Sequence, residues 1–124
     1  MASELRVNTL KDASGNNSIA TSFVAGGSAK VHVLSNAGAA ASESLNVSGM
    51  TDNGTGDYTT SFSSAFGDAN YVSCAVPSRG LGDTSLSANV HTRAAGSYRC
   101  ECSRDDSTKT DAANYSSSHF GDLA

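Results

Sequence analysis

Tyr58-Thr59-Thr60-Ser61-Phe62-Ser63-Ser64-Ala65-Phe66 is the most regular stretch of the chain. Tyr58, Phe62 and Phe66 share one parity, with the small Thr60 and Ser64 between them. Successive side chains of a strand point to opposite sides, so the stretch reads as a β-strand with one aromatic and one polar face. Just upstream lies Thr51-Asp52-Asn53-Gly54-Thr55-Gly56-Asp57, a dense turn signal in which Gly54 or Gly56 supplies a positive φ. Before that turn, residues 43–50 put Leu45 and Val47 on one face, and residues 29–35 set Val31 and Val33 against Lys30, His32 and Leu34.

The same alternation continues downstream. Residues 70–76 carry Val72, Cys74 and Val76 on one side and Tyr71, Ser73 and Ala75 on the other, and Pro77 is expected to end that strand. Residues 85–92 alternate Leu86, Ala88 and Val90; residues 97–103 alternate Tyr98, Cys100 and Cys102 against Arg99 and Glu101; residues 115–120 read as a closing strand. No 3.6-residue apolar stripe lasts three turns, and the best helical candidate, Ala37-Gly38-Ala39-Ala40-Ala41-Ser42, is short and broken by Gly38, so it reads as a loop. Seven antiparallel strands fit this pattern, and the fold class expected is all-β: an antiparallel β-sandwich, jelly-roll-like, over residues 29–124. Val31, Val33, Leu45, Val47, Tyr58, Phe62, Phe66, Tyr71 and Tyr98 are the candidates for core or subunit interface. In residues 1–28, Leu5, Val7, Leu10, Ile19 and Phe23 lack a sustained rhythm and are interrupted by Gly15, Asn16, Asn17 and Ser18. That segment reads as an extended N-terminal arm, for attachment to a larger particle or exchange between subunits.

Composition limits what such a domain does. The hydrophobic fraction is 38%, much of it alanine, and Trp is absent. A chain of this length buries only about two-thirds of its unfolded surface, so a thin core favours a homo-oligomer, in which subunits share buried area. The net charge is −4 without a Lys or Arg run, which argues against nucleic acid as a partner. No apolar stretch approaches the roughly 18–20 residues that span a bilayer, and the N-terminus lacks the pattern of a cleaved export signal. Synthesis in the cytoplasm without membrane insertion is therefore expected.

The candidate chemistry is sparse. His32, His91 and His119 lie far apart in sequence and lack ligand spacing. Cys74, Cys100 and Cys102 cannot all pair within one chain, and a Cys100–Cys102 disulfide would close a strained ring, so reduced thiols serving as small apolar side chains are expected. Asp52, Asn53 and Asp57 cluster as in a calcium loop, but the closing Glu of such a loop is missing and a hairpin turn explains them. Gly-x-Ser-x-Gly is absent, and no catalytic, cofactor-binding or metal-binding residue is named: the chain is read as a non-enzyme without cofactor. Ser78, Arg79, Gly80 and Asp83, with Arg104 and Asp105, sit in polar segments suited to surface recognition.

One long segment is familiar. Ser44-Leu45-Asn46-Val47-Ser48-Gly49-Met50-Thr51-Asp52-Asn53-Gly54-Thr55-Gly56-Asp57-Tyr58-Thr59, followed by Phe62 to Phe66 and by Ala69-Asn70-Tyr71, resembles a segment of the C-terminal modules of phage tail fibres and related phage virion surface proteins. The opening Leu5-Arg6-Val7-Asn8-Thr9-Leu10-Lys11-Asp12-Ala13-Ser14-Gly15-Asn16-Asn17-Ser18 is similar to the lead-in of such modules, and His119-Phe120-Gly121-Asp122 to their Phe-Gly-Asp close; residues 78–113 match nothing comparable. The resemblance implies a β-sandwich module, often trimeric, displayed on a virion. Tail fibres normally carry an adaptor and a shaft ahead of the module, and here only a short arm precedes it, which leaves room for a capsid-decorating knob or an accessory fibre tip. The expected function is thus a bacteriophage virion structural protein, a surface-displayed knob or fibre tip on capsid or tail, associating with itself as a homotrimer and with other capsid or tail proteins. The alternatives are a tip that binds a host-surface glycan and a small glycan depolymerase.

Overall fold

The structure, a computed structural model, describes residues 3–36, 39–78 and 85–124. In the first segment, Thr9–Lys11 (β1) and Ser18–Ala20 (β2) form an antiparallel hairpin with Leu10 opposite Ile19. Thr21–Gly27 then forms a short helix, α1. The polar residues that interrupt the apolar spacing here are the hairpin loop. Asp12 accepts hydrogen bonds from Ser14 Oγ (2.9 Å), Asn16 N (3.1 Å) and Asn17 Nδ2 (2.6 Å), and Gly15 takes a φ of 72°. The arm is therefore folded locally instead of being one extended segment.

Residues from Val31 onward build the sandwich. Its strands are β3 (Val31–Asn36), β4 (Ala41–Leu45), β5 (Val47–Gly54), β6 (Asp57–Phe62), β7 (Val72–Ser78), β8 (Leu86–Ala94), β9 (Ser97–Arg104) and β10 (Asn114–Phe120). They form two antiparallel four-stranded sheets, with strand orders β4-β3-β10-β7 and β5-β6-β9-β8. The hairpins β3–β4, β5–β6 and β8–β9 each stay within one sheet, while the first and last sandwich strands, β3 and β10, pair at the centre of the first sheet. The core comes from both inner faces, with Val31, Val33 and Tyr115 on one side and Tyr58, Phe62, Tyr98, Cys100 and Cys102 on the other. The protein is an all-β sandwich.

Four strand boundaries differ from the sequence reading, each for a local reason. The expected single strand over residues 43–50 is two strands, because Asn46 adopts φ 57° and carries the chain from one sheet to the other. Asn46 Oδ1 accepts from Ser64 N (2.7 Å), its Nδ2 donates to Ser64 O (3.0 Å), and its carbonyl accepts from Ser63 N (3.1 Å). The aromatic strand stops at Phe62, and Phe66 reaches the core from a separate bridge to Leu123. Pro77 lies inside β7 and does not end it; β7 is an edge strand, so the missing N–H costs no ladder bond on its open side. The turn before β6 is tighter than Thr51 to Asp57, since β5 runs on to Gly54, and Gly54 and Gly56 both take positive φ. Gly56 is also pressed against backbone: a Cβ there would lie 2.5 Å from Cys102 O.

The Asn46 crossing is open to a direct check by urea denaturation. Asn46→Gly keeps the left-handed backbone and loses two side-chain bonds, an expected cost of about 1–2 kcal/mol. Asn46→Ala loses the same bonds and adds left-handed strain of roughly 1 kcal/mol, so it should be the less stable of the two. An Ala variant as stable as wild type would contradict this account of the crossing.

Candidate functional site

The interior decides what is left outside. Tyr58, Thr60 and Phe62 of β6 and Tyr98, Cys100 and Cys102 of β9 face Tyr115, Ser117 and His119 of β10. His119 is fully buried, its ring centroid 4.5 Å from that of Tyr98, 5.5 Å from Phe62 and 5.6 Å from Tyr71. Its Nδ1 lies 3.0 Å from Ser73 Oγ and its Nε2 3.1 Å from Ser117 Oγ, so the hydroxyls satisfy both ring nitrogens. Burial lowers the imidazole to about 4, and the ring is neutral at physiological pH. Tyr71 packs on Phe66 at 4.4 Å and donates to Ser97 O (2.7 Å). The buried Cys102 thiol is pushed above its ordinary range by the Cys100 thiol nearby and by burial.

Placing Tyr71 and Ser73 inward sends the other parity of β7 outward. Val72 and Val76 are 62% and 64% exposed, and Cys74 between them is exposed as well. Of the three thiols expected to act as apolar filler, Cys100 and Cys102 do so and Cys74 does not. Strand register extends this face across the sheet: Val76, Ser116, Leu34 and Glu43 form one row, and Cys74, Ser118, His32 and Leu45 the next. The centre of the face is small serine, flanked by Val72 and Val76 on one side and by Leu34 (42% exposed) and Leu45 (48%) on the other. Leu45 therefore lies outside the monomer core, because it ends the edge strand β4 on the outer face, whereas Val47 is half-buried against the core. The remaining candidates, Val31, Val33, Tyr58, Phe62, Phe66, Tyr71 and Tyr98, are all buried.

The outer face of the second sheet has the opposite character. Arg99 grips Asp57 with two hydrogen bonds of 2.8 and 2.7 Å, and Lys109 bonds Glu101 at 2.6 Å and approaches Asp57 at 3.6 Å. Asp57 is held down at about 2, first by the hydrogen bond from Arg99. His91 lies 3.7 Å from Glu101 on this same face. The three histidines thus occupy three separate environments, and among the described residues no three His, Cys, Asp or Glu side chains converge as a metal site.

Of the expected recognition residues, Ser78 closes β7 and exchanges hydrogen bonds with Asn114 (3.1 and 3.3 Å), while Arg79, Gly80 and Asp83 lie outside the described residues. Arg104 and Asp105 enter a tight turn: Ser107 N donates to Arg104 O (2.9 Å) and Asp106 Oδ1 accepts from Thr108 N (2.9 Å). Leu86, at the start of β8, pairs with Arg104, so the chain leaving Ser78 returns to the sandwich beside that turn. A cleft of about 340 Å³ lies elsewhere, lined by Gly67, Asp68, Asn70, Gly121 and Asp122. Two Phe-Gly-Asp tripeptides, residues 66–68 and 120–122, meet there through Gly67 N to Asp122 O (2.9 Å). Sequence reasoning noted the second tripeptide and missed its pairing with the first, a repeat visible in the chain. Hydrogen bonds from Asn70 lower the Asp68 carboxyl, the direction opposite to that required of a general acid in glycoside cleavage.

Compared with protein-family models, with curated proteins and with solved structures, the chain matches none.

Acid should reveal the buried imidazole. Free in the unfolded chain, His119 titrates near 6.5, and in the fold near 4. Its contribution is therefore intact above about pH 6.5 and is lost as pH falls toward 4, by on the order of 3 kcal/mol. Asp57 extends the loss from about 3.8 toward 2. His119→Gln, which still offers a donor and an acceptor to the two serines, should flatten the pH 6.5–4 limb of a urea-denaturation series followed by circular dichroism. An equally steep limb in that variant would contradict the assignment.

Proposed function

We propose that this chain is a structural protein of a bacteriophage particle, a knob or fibre-tip module displayed on capsid or tail, made in the host cytoplasm and working as a homo-oligomer, with three copies expected. The observation that carries the reading is the outward apolar face of the first sheet, with Val72 and Val76 more than 60% exposed. Exposed valines and leucines on both sides of a serine centre, on a chain with few large apolar side chains, mark a contact surface. The likeness of residues 44–71 and 119–122 to tail-fibre modules supports the virion as its setting, and the salt-bridged outer face of the second sheet suits a surface that stays in water. Peptides of this protein should be found by mass spectrometry in purified particles, in either the head or the tail fraction, and light scattering at micromolar concentration should give a mass above that of one chain. Absence from both fractions, or a monomer, would overturn the reading.

A second reading, attachment to a host-surface glycan, is favoured by the cleft between the two Phe-Gly-Asp tripeptides. Asp68, Asn70 and Asp122 line it with carboxylate and amide groups that suit sugar hydroxyls. Purified protein should then bind host cells, and Asn70→Ala combined with Asp122→Ala should reduce that binding at least tenfold without changing the circular dichroism spectrum. Unchanged binding in the double variant would remove the cleft from consideration.

A further inference from the structure

We propose that Asn53 is a site of spontaneous deamidation that the folded turn holds shut, and that the product, once formed, keeps the turn from closing as before. Asn53-Gly54 is the one place in the chain where asparagine precedes glycine. Water is the only co-reactant. The Gly54 main-chain nitrogen bonds to Cγ of Asn53, the bond from Cγ to Nδ2 breaks, and ammonia departs with the Gly54 proton, leaving a cyclic imide. Water then opens the imide. Opening at the side-chain carbonyl gives aspartate at position 53, and opening at the main-chain carbonyl gives isoaspartate, with the backbone rerouted through the side chain. Glycine favours the attack because no Cβ crowds its nitrogen, and every other asparagine of the chain is followed by a residue that has one.

The place is open to solvent. Asn53 and Gly54 are both exposed, Asn53 is the unpaired residue between the pairs Asp52–Tyr58 and Gly54–Asp57, and a Cβ built on Gly54 would meet nothing. Hydrogen bonds, not burial, restrain the reaction. Gly54 N donates to Asp52 Oδ1 (2.8 Å), while Asn53 Nδ2 donates to Asp57 Oδ1 (3.2 Å) and to Thr59 Oγ1 (2.8 Å). The attacking nitrogen must give up its proton beside Asp52 and Asp57, whose charges disfavour an amide anion. Turning Cγ toward that nitrogen releases Nδ2 from both acceptors. Attack therefore waits for a local opening of the turn.

The product does not fit where the amide sat. A carboxylate at position 53 has no proton to give Asp57, which is 4% exposed and is held ionised, down at about 2, first by the hydrogen bond from Arg99. Arg99 already directs two bonds to Asp57, and Lys109 is bonded to Glu101. Like charges replace a hydrogen bond, with Asp52 adding a third carboxylate close by. Isoaspartate lengthens the backbone of a bulge whose flanking residues are fixed by their pairs in β6. By either route, an opening that ends in reaction becomes permanent.

The full chain, held in mildly alkaline buffer with and without denaturing urea at one temperature, tests this by tandem mass spectrometry of position 53. In urea Asn53 should be the first asparagine to convert, and in the fold its conversion should be slower by roughly tenfold or more, the protection that a closed turn confers. Thr59→Val, which removes one acceptor of the amide and keeps a β-branched side chain, should speed the folded rate severalfold without changing the circular dichroism spectrum. Asn53→Asp, which supplies the product directly, should unfold at a lower urea concentration than wild type at neutral pH. Conversion as fast in the fold as in urea, another asparagine reacting first, an unchanged rate in Thr59→Val, or an Asn53→Asp variant as stable as wild type would overturn the proposal.

Discussion

The hydrogen bond between His119 and Ser73 sets the orientation of an entire strand. His119 has to be buried because β10 lies at the centre of its sheet and its inward parity is Tyr115, Ser117 and His119. A buried imidazole needs a partner for each nitrogen. Ser117 supplies one from the same strand, and Ser73 supplies the other from β7. With Ser73 turned in, Tyr71 and Ala75 turn in with it, and Val72, Cys74 and Val76 face solvent, because a one-residue change of phase flips every side chain of a strand. Polar satisfaction inside therefore places an apolar stripe outside, and the same bond links the core to the surface through which the protein is proposed to act.

That chain of cause explains which parts of the structure were legible beforehand. Strands with a clear size contrast between their two faces, such as β6 with Tyr58, Thr60 and Phe62 inward, announce their orientation through alternation alone. β7 does not, since one parity offers three compact apolar side chains and the other a single large ring with Ser73 and Ala75. Tyr71 favours the same orientation as Ser73, because its ring buries more area than a valine and its hydroxyl finds Ser97 O. The break at Asn46 was hidden for a different reason. Asn tolerates left-handed backbone better than most residues, but only the long-range bonds to Ser63 and Ser64 show that it does so here. The arm's hairpin could be suspected from Gly15 to Ser18, whereas its exposure is a property of three dimensions.

The interior is also unusual in what it tolerates. The Tyr115 hydroxyl is buried near Cys100 and Ser117 without a hydrogen bond of ordinary length, and burial raises its phenol well above the ordinary range. An orphaned hydroxyl costs on the order of 1–3 kcal/mol. That cost lowers the stability of the single chain, and burial against another subunit would offset it. The thin hydrophobic composition and the polar core thus press in the same direction.

The edges of the two sheets are built against pairing edge to edge. Each of the four edge strands carries an interruption: Ser42 is an extra residue in β4, Ser48 and Asn53 are extra in β5, His91 is extra in β8, and β7 holds Pro77. Bulges and proline blunt the row of free backbone groups through which open sheets would otherwise pair edge to edge. Growth of a continuous sheet between copies is thereby disfavoured on every side. The faces remain, and of the two outer faces only the first sheet's is apolar, since the second is occupied by the Asp57–Arg99 and Glu101–Lys109 pairs. With the edges interrupted and the second face charged, the stripe that Ser73 turned outward is the apolar outer surface of the sandwich among the described residues, and it is there that copies are proposed to meet.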